Sequence, residues 1–574
     1  MRRIFGYYKK YKIRLIFIVI MKIVGTALDL VIPFLLSYIL DKVIPNISNG
    51  DLSKVIIYGI AMILCSIVAF VFSYKANQLV SYVGSNCAKE LRNDLFIRIQ
   101  KLSLRQIDDI SIPSLISRIS SDTYNENQLY IMILRIGLRA PVLFFGGIIV
   151  SLIMNFRLTL ILLACIPLII TVIIVVGKFG IPLFSKIQKS LDDLVRTLRE
   201  DITGIRVIKS LSKENYEKDR FAKVNKKVID YELKSAKIMN TLNPMVTLIM
   251  NASLSLIVLF GALLFNQNAK YASSGQIIAF LSYFNIILNS MVAMSRVFIV
   301  YSKASASAER INYILDLPLD LTINSEQEVS PFYIEFKNVS FSYNGKEKNL
   351  SDINFTLNKG ESLGIIGGTG SGKSTLLNLL MRFYDADQGV IFVNNRNVKS
   401  FNKDELASLF GSVFQNDILF HMSIKENINF YRNLKEEEIL KAIDSAQANF
   451  VYSLENGIET ILEAKGNNLS GGQKQRLLIA RSLAENPQIL IMDDSSSALD
   501  YKTDSNLRSA IKENYPNSTM IVVSQRISSI MNSDKILVID QGKIVAQGSH
   551  QELMKKSNIY QDIYSSQMGG DYHA

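Results

Sequence analysis

Six long apolar runs fill the first three hundred residues, and they constrain the fold more than any other feature of the chain. They lie at about 15–40, 55–73, 138–154, 158–177, 245–265 and 277–301, each near the length a helix needs to cross a bilayer. Lipid offers no partner to a backbone amide, so each run is expected as a helix that satisfies its own hydrogen bonds. Single charges interrupt several runs, but together they predict six spans. The first run is too long for a cleavable signal peptide and lacks a small-residue cleavage site. Near residue 320 the composition changes, and charges and glycines spread through the rest of the 574 residues as in a globular domain.

Basic residues give the expected orientation. Arg2, Arg3, Lys9, Lys10, Lys12 and Arg14 precede the first run with no acid among them, which places the amino terminus in the cytoplasm. The links at about 44–52, 155–157 and 266–275 are short and carry few basic residues; those at about 75–130 and 180–240 are long and rich in Lys and Arg. Six spans return the second half to the cytoplasm, with both termini inside. The net charge of +12 is thus a topology signal. A nucleic-acid partner is not expected, because no basic surface module interleaved with aromatics is present. Cys65, Cys87 and Cys165 have no paired spacing, so neither a disulfide framework nor a zinc site is expected.

The second half carries a phosphate-binding pattern. ESLGIIGGTGSGKST reads as an apolar strand, then Gly367-Gly368-Thr369-Gly370-Ser371-Gly372-Lys373-Ser374, then a helix, with Thr375 also expected among the nucleotide-binding residues. The glycines let successive backbone N–H groups turn toward a β-phosphate, and the helix amino terminus adds a favourable dipole. Lys373 is expected on the β/γ oxygens, and the Ser374 hydroxyl on Mg2+.

Further on, residues 489–500 read ILIMDDSSSALD. This run resembles the strand that brings two acids to a nucleotide-bound magnesium and its attacking water. Leu469-Ser470-Gly471-Gly472-Gln473 lies just ahead of it. With the phosphate loop, these motifs resemble the nucleotide-binding domain of an ATP-binding-cassette (ABC) transporter over about residues 332–574. Six spans ahead of one such domain resemble an exporter half-transporter. The expected fold is an all-α transmembrane domain of six long helices (1–318), a linker (319–331) and an α/β P-loop ATP-binding-cassette domain (332–574).

The resemblance implies ATP and Mg2+ as ligands and assigns further roles. Two such domains dimerise head to tail with ATP between them, so Ser470, Gly471, Gly472 and Gln473 would face ATP held by the partner. Tyr343 matches the aromatic that stacks on adenine, and Gln415 the glutamine that reaches magnesium. Asp493 matches the acid that holds magnesium through water. Ser497-Ala498-Leu499-Asp500 matches a loop that touches the opposite site. Ser117–Asp122 resembles the first cytoplasmic coupling loop, and Gly204–Ser210 the second.

Two positions depart from the family pattern. Asp494 stands where glutamate is usual; one methylene shorter, its carboxylate falls about 1.5 Å short of the water it must orient. Gln525 stands at the switch position that is usually histidine, and an amide cannot carry a proton or positive charge as imidazole can. His421, His550 and His573 all lie elsewhere. A lesser departure is Glu463-Ala464, where the family more often has Gly-Glu.

With phosphate loop and signature intact, the chain resembles the degenerate half of a heterodimeric multidrug-type exporter. Its own site should hold ATP and hydrolyse it slowly, while a second half-transporter carries the glutamate and histidine. The expected activity is ATP-driven export of amphipathic small molecules across a plasma membrane. The alternatives are a lipid or lipid-linked flippase, a homodimer with two slow sites, or an ATP-gated regulator. The chain begins almost directly at the first span, so no leader-processing protease domain is expected.

Cargo signals are faint. On the last span Ser282, Asn285, Asn289 and Arg296 fall within a sector of about 60° on a helix. Asn243, Thr247, Asn251 and Ser255 share one broad side of the fifth. Lys22 and Asp29 sit two turns apart on the first, and Arg135 and Arg139 one turn apart on the third. Such residues either line a cavity, hydrogen-bond between helices or reach to the interface.

Overall fold

The computed structural model describes residues 6–46, 52–267, 273–323, 328–495 and 499–568. The chain forms two units: Met1–Gln100 with Pro113–Leu317, and Lys101–Ile112 with Pro318–Ala574.

The first unit holds six helical segments long and apolar enough to cross a membrane: Gly6–Asn46, Ser53–Gln100, Ile112–Met154, Phe156–Thr203, Glu214–Asn266 and Ser274–Asp316. All six run well beyond the ~20 residues a bilayer requires, because polar residues that favour helix continue the apolar runs. Their packing is set by few but specific contacts. Leu158, Leu162, Ile169, Phe280, Phe284 and Ile287 join the fourth span to the sixth, and the buried Tyr283 hydroxyl donates to the Leu30 carbonyl (2.6 Å). At one end of the first span, Asp41 accepts from the Gly275 amide (2.7 Å) and the Ser273 hydroxyl (2.5 Å).

Residues 117–122 form no loop. They continue the third span through a π-helical turn, Arg118–Asp122. There Asp122, 2% exposed, accepts from Arg310 Nε (2.8 Å), Arg310 Nη2 (2.5 Å) and the Ser307 hydroxyl (2.9 Å). The segment read from sequence as a first coupling loop is therefore a tie between the third and sixth spans. A buried carboxylate needs such paired donors, and the Ser-rich sequence SRISSD hides that requirement. The excursion that groups with the second unit is instead Lys101–Ile112, with a short helix Leu104–Ile110 capped by Ser103 and Gln106. Gly204–Ser210, the other segment of this reading, also holds a short helix, Ile205–Ser210.

The second unit is an α/β fold with ten strands among the described residues: β1 Ile334–Phe341, β2 Leu350–Leu357, β3 Ser362–Gly367, β4 Gln388–Val393, β5 Arg396–Asn397, β6 Phe410–Val413, β7 Ile489–Asp493, β8 Thr519–Val523, β9 Lys535–Asp540 and β10 Lys543–Gly548. One sheet has the order β2-β1-β4-β5, and the other β10-β9-β3-β8-β7-β6. In the second sheet β9, β3, β8, β7 and β6 are parallel. Parallel strands are buried on both faces and read as continuous apolar runs, as ILIMD does in β7. Ile489 and Ile491 pack into the core shared with the antiparallel sheet, Leu490 and Met492 into the core under the helix Gly471–Leu483.

Gly389 in β4 has φ +84°, and a Cβ there would lie 2.3 Å from the Asn338 carbonyl oxygen at an irregularity in β1. Left-handed backbone and overpacking each cost about 1–3 kcal/mol. Gly389→Ala is expected to lower the melting temperature of this unit by about 5–15 °C in scanning calorimetry.

Candidate functional site

Three neighbouring parallel strands bring the site together at their carboxyl ends, where ligands bind in open α/β sheets. β3 ends at Gly367 and passes into the phosphate loop; β7 ends at Asp493; β8, between them, ends at Val523 just before Ser524 and Gln525. The helix Lys373–Leu380 follows the loop, with Gly372 at its amino terminus. Gly372 has φ +105°, and a Cβ would meet Leu350 Cδ2 at 2.7 Å, so only glycine turns the chain there without strain.

The loop is open toward a ligand. Gly368, Thr369 and Gly370 are exposed, while Ser371 is 5% exposed and its hydroxyl has no hydrogen-bond partner. A buried, unbonded hydroxyl is costly and fits a phosphate oxygen. Lys373 is buried, and its ammonium donates to the loop's own carbonyls, Gly367 (2.9 Å) and Gly368 (2.7 Å). Burial pushes its pKa down, against the pull of Asp494 and Asp493, so a polyanion at this loop stabilises the charged form. Thr375, the third helical residue, is buried.

The Ser374 hydroxyl donates to Asp493 Oδ2 (2.9 Å). Burial raises the Asp493 pKa, and the Ser374 bond opposes that. Two adjacent hard oxygens suit Mg2+, which keeps several waters and binds through one or two carboxylates plus substrate phosphates. Among the described residues no group of three His, Cys, Asp or Glu side chains could hold a metal by itself. The donor set therefore fits an ion that arrives with a nucleotide. Gln415 is exposed in the turn after β6.

The two departures from the family pattern touch each other. Asp494 turns out of β7 with φ +49°, its amide donating to the Val523 carbonyl (2.9 Å). Gln525 Nε2 donates to Asp494 Oδ2 (3.3 Å), and Gln475 Nε2 to the Asp494 carbonyl (3.3 Å). His421 is bonded to the Leu462 carbonyl (2.8 Å) and His550 to the Tyr560 hydroxyl (2.8 Å); His573 lies outside the described residues, as do Ser497 and Ala498. Leu499 is buried, and Asp500 caps the helix Tyr501–Asn514.

Ser470 caps the helix Gly471–Leu483: its hydroxyl accepts from the Gln473 amide (3.3 Å) and the Gln473 side chain accepts from the Ser470 amide (2.9 Å). Ser470 and Gly471 are exposed and Gly472 and Gln473 half-buried. No hydrogen bond among the described residues joins this end to the phosphate loop. Glu463 donates its amide to Asn468 Oδ1 (3.0 Å).

Tyr343 sits edge-on to Phe341 (4.9 Å) and to Tyr384 (5.1 Å), and its hydroxyl donates to Thr375 Oγ1 (3.4 Å) and accepts from Asn378 (3.3 Å). Sequence reasoning missed Asn378, Gln475 and Tyr384. The Tyr384 hydroxyl donates to Asp108 Oδ2 (2.5 Å), in the excursion Lys101–Ile112. Burial and this carboxylate both push the Tyr384 pKa up. The proposed adenine position is thus two aromatic rings away from that excursion.

In the first unit Ser282 and Asn285 are half-buried and Asn289 and Arg296 exposed, on the flank opposite the buried Phe284, Ile287 and Leu288. They make no side-chain bond to another span among the described residues.

Residues 15–291 match the model of the ABC transporter transmembrane region, and residues 350–497 that of the ABC transporter family. The chain is 32% identical to the uncharacterized ABC transporter ATP-binding protein YfiB of Bacillus subtilis, over 99% of both chains. It is also 32% identical to YknU of the same organism, over 99% of this chain and 97% of that one. The solved structure of a bacterial Atm1-family ABC exporter with ATP bound has the same fold, with a TM-score of 0.83 at 23% identity, covering 98% of this chain and 99% of that one.

Proposed function

The chain belongs to the ABC transporter family, and from that premise we propose that it is the ATP-holding, slowly hydrolysing half of a heterodimeric exporter. As a multi-pass membrane protein with an ABC ATPase domain it works in a dimer; the finer division of labour is the proposal. The observation that carries it is the pairing of Asp494 with Gln525 beside an intact Ser374–Asp493 contact and an intact Ser470–Gln473 cap.

A water attacking the γ-phosphate must be oriented and lose a proton as it reacts. About 1 Å of misplacement can cost on the order of a hundredfold in rate. Asp494 is short by about one bond, and its Oδ2 is taken by an amide that cannot relay a proton. Lys373, Ser371 and Ser374 remain able to bind the phosphates, and Asp493 with Gln415 to hold Mg2+. Tyr343 would stack on adenine.

In this reading Ser470, Gly471, Gly472 and Gln473 complete the partner's site, whose glutamate and histidine drive the cycle. Residues 1–318 and 332–574 are the working domains, joined by 319–331, with the second domain and both termini cytoplasmic in a plasma membrane. Amphipathic small molecules are the proposed cargo, passing the flank of Ser282, Asn285, Asn289 and Arg296.

Purifying the chain alone and together with the product of the adjacent gene, expected to be the second half-transporter, tests the proposal. The pair is expected to hydrolyse ATP about thirtyfold faster or more, or ~2 kcal/mol in barrier. Equal rates per ATP site would overturn it.

A further inference from the structure

Charges of one sign gather inside the membrane unit without enough of the other to balance them. Lys22, on the first span, is 3% exposed, and its ammonium donates to the neutral Asn77 Oδ1 on the second span (2.9 Å). Asn77 lies one helical turn from Ser81 on the second span, so the third span's Arg135 is brought close by. Arg135 Nη2 donates to the Ser81 hydroxyl (3.0 Å), again a neutral partner. Only Arg139 meets an acid, Asp29 Oδ2 at 2.9 Å. Among the described residues no carboxylate lies within ion-pair distance of Lys22 or Arg135, so three cations share one anion.

By helix rise Arg135 lies about 28 Å from Met154 and Lys22 about 33 Å from Ile44, at one boundary of the hydrocarbon core, with Arg139 further in. Arg139 precedes the end of its helix at Met154 by about 22 Å of helix rise, within a hydrocarbon core of about 30 Å. Charges there are expensive, and they face a cavity or an ionic partner rather than lipid. A buried ammonium held by one amide oxygen is poorly compensated. Arg135 also lies in a π-helical turn, Ile133–Gly137, a local widening that recurs at functional sites. The first and third spans also leave Val31, Phe34, Phe145 and Ile149 uncovered.

We propose that the exposed Arg135 and Arg139, with the buried Lys22 behind them adding charge, form a recognition site for the anionic headgroup, a phosphate or carboxylate, of an amphiphile whose apolar tail lies along these spans. Asp29 holds the Arg139 guanidinium in place, while Lys22 and Arg135 supply the uncompensated charge. The proposal deepens the exporter reading and rests on it, because it names the class of compound that the membrane half selects.

The test is binding to the full chain in phosphatidylcholine nanodiscs without ATP, by calorimetry against empty discs. Dodecyl phosphate is expected to bind at least about tenfold more tightly than dodecyltrimethylammonium. Lys22→Gln and Arg135→Gln are each expected to weaken dodecyl phosphate by about tenfold or more, while leaving the cationic probe and fluorescent ATP binding unchanged. Arg135 is exposed, so its variant stays informative if Lys22→Gln does not fold. Adding phosphatidylglycerol to the discs distinguishes two sources of the same chemistry. Competition points to a lipid headgroup, its absence to a soluble amphiphile, and either supports the site. Equal affinity for the two probes, or variants that bind like the wild type, would overturn it. So would loss of dodecyl phosphate binding when the partner chain is assembled, since an acid from that chain would then fill the cluster. In each of these failures unchanged ATP binding leaves the exporter reading standing.

Discussion

Replacing Asp494 by glutamate and Gln525 by histidine together is expected to raise ATP hydrolysis at this chain's own site by about a hundredfold. The glutamate restores the missing methylene and brings the carboxylate to the water. The histidine removes the Gln525 amide from Asp494 Oδ2, where it now donates at 3.3 Å, and supplies a group that can carry a proton near neutral pH. Because the two side chains touch, their effects should not add. Glutamate alone still meets an amide on its oxygen, and histidine alone still faces a carboxylate that is too short. ATP affinity should hardly change, since Lys373, Ser374 and Asp493 are untouched. Phosphate release from a pair whose other site has been silenced reads this site alone. An unchanged rate in the double variant would place the defect elsewhere.

Lys373→Ala is expected to weaken ATP binding at this site by at least about a hundredfold, or ~2.7 kcal/mol. Lys373 is the one cation bonded to the phosphate loop among the described residues, lying on the Gly367 and Gly368 carbonyls. Without it those carbonyls point toward the nucleotide's phosphates, and Asp493 and Asp494 remain uncompensated beside them. Buried donors and acceptors left unpaired cost more than the lost bond alone. The loop itself should persist, because Gly372 and the β3–β9 pairing shape it independently of the ammonium. Titration of a fluorescent ATP analogue measures the loss, and a change smaller than about threefold would mean that backbone amides carry the binding.

Much of this was legible in the sequence because its signals are local. Apolar runs long enough to span a bilayer have few other uses, and Gly367–Ser374 between a strand and a helix admits one main reading. Asp494 and Gln525 were also visible as departures. Their contact was not, because it depends on β8 lying between β3 and β7, and strand order leaves no mark on neighbouring residues. Lys101–Ile112 escaped for a related reason. LSLRQIDDI is short and polar between two long helices, and its grouping with the second unit rests on contacts such as Asp108 with Tyr384, 276 positions apart. Ser117–Asp122 misled in the opposite sense: a polar stretch resembles a loop, but here its acid is buried and ties two spans. Cys65, Cys87 and Cys165 are free. Lys22, Arg135 and Arg139 were each noticeable alone; only the packing of three spans makes them one cluster.

The most direct test of the central claim is the fate of nucleotide at this chain's own site. The assembled pair is loaded with radiolabelled ATP and Mg2+, with the partner's phosphate-loop lysine replaced so that this site alone retains label. The bound nucleotide is then extracted over time. The account predicts that most of the label remains ATP over many turnovers of the unmodified pair. Conversion to ADP at the rate of the unmodified pair would contradict it.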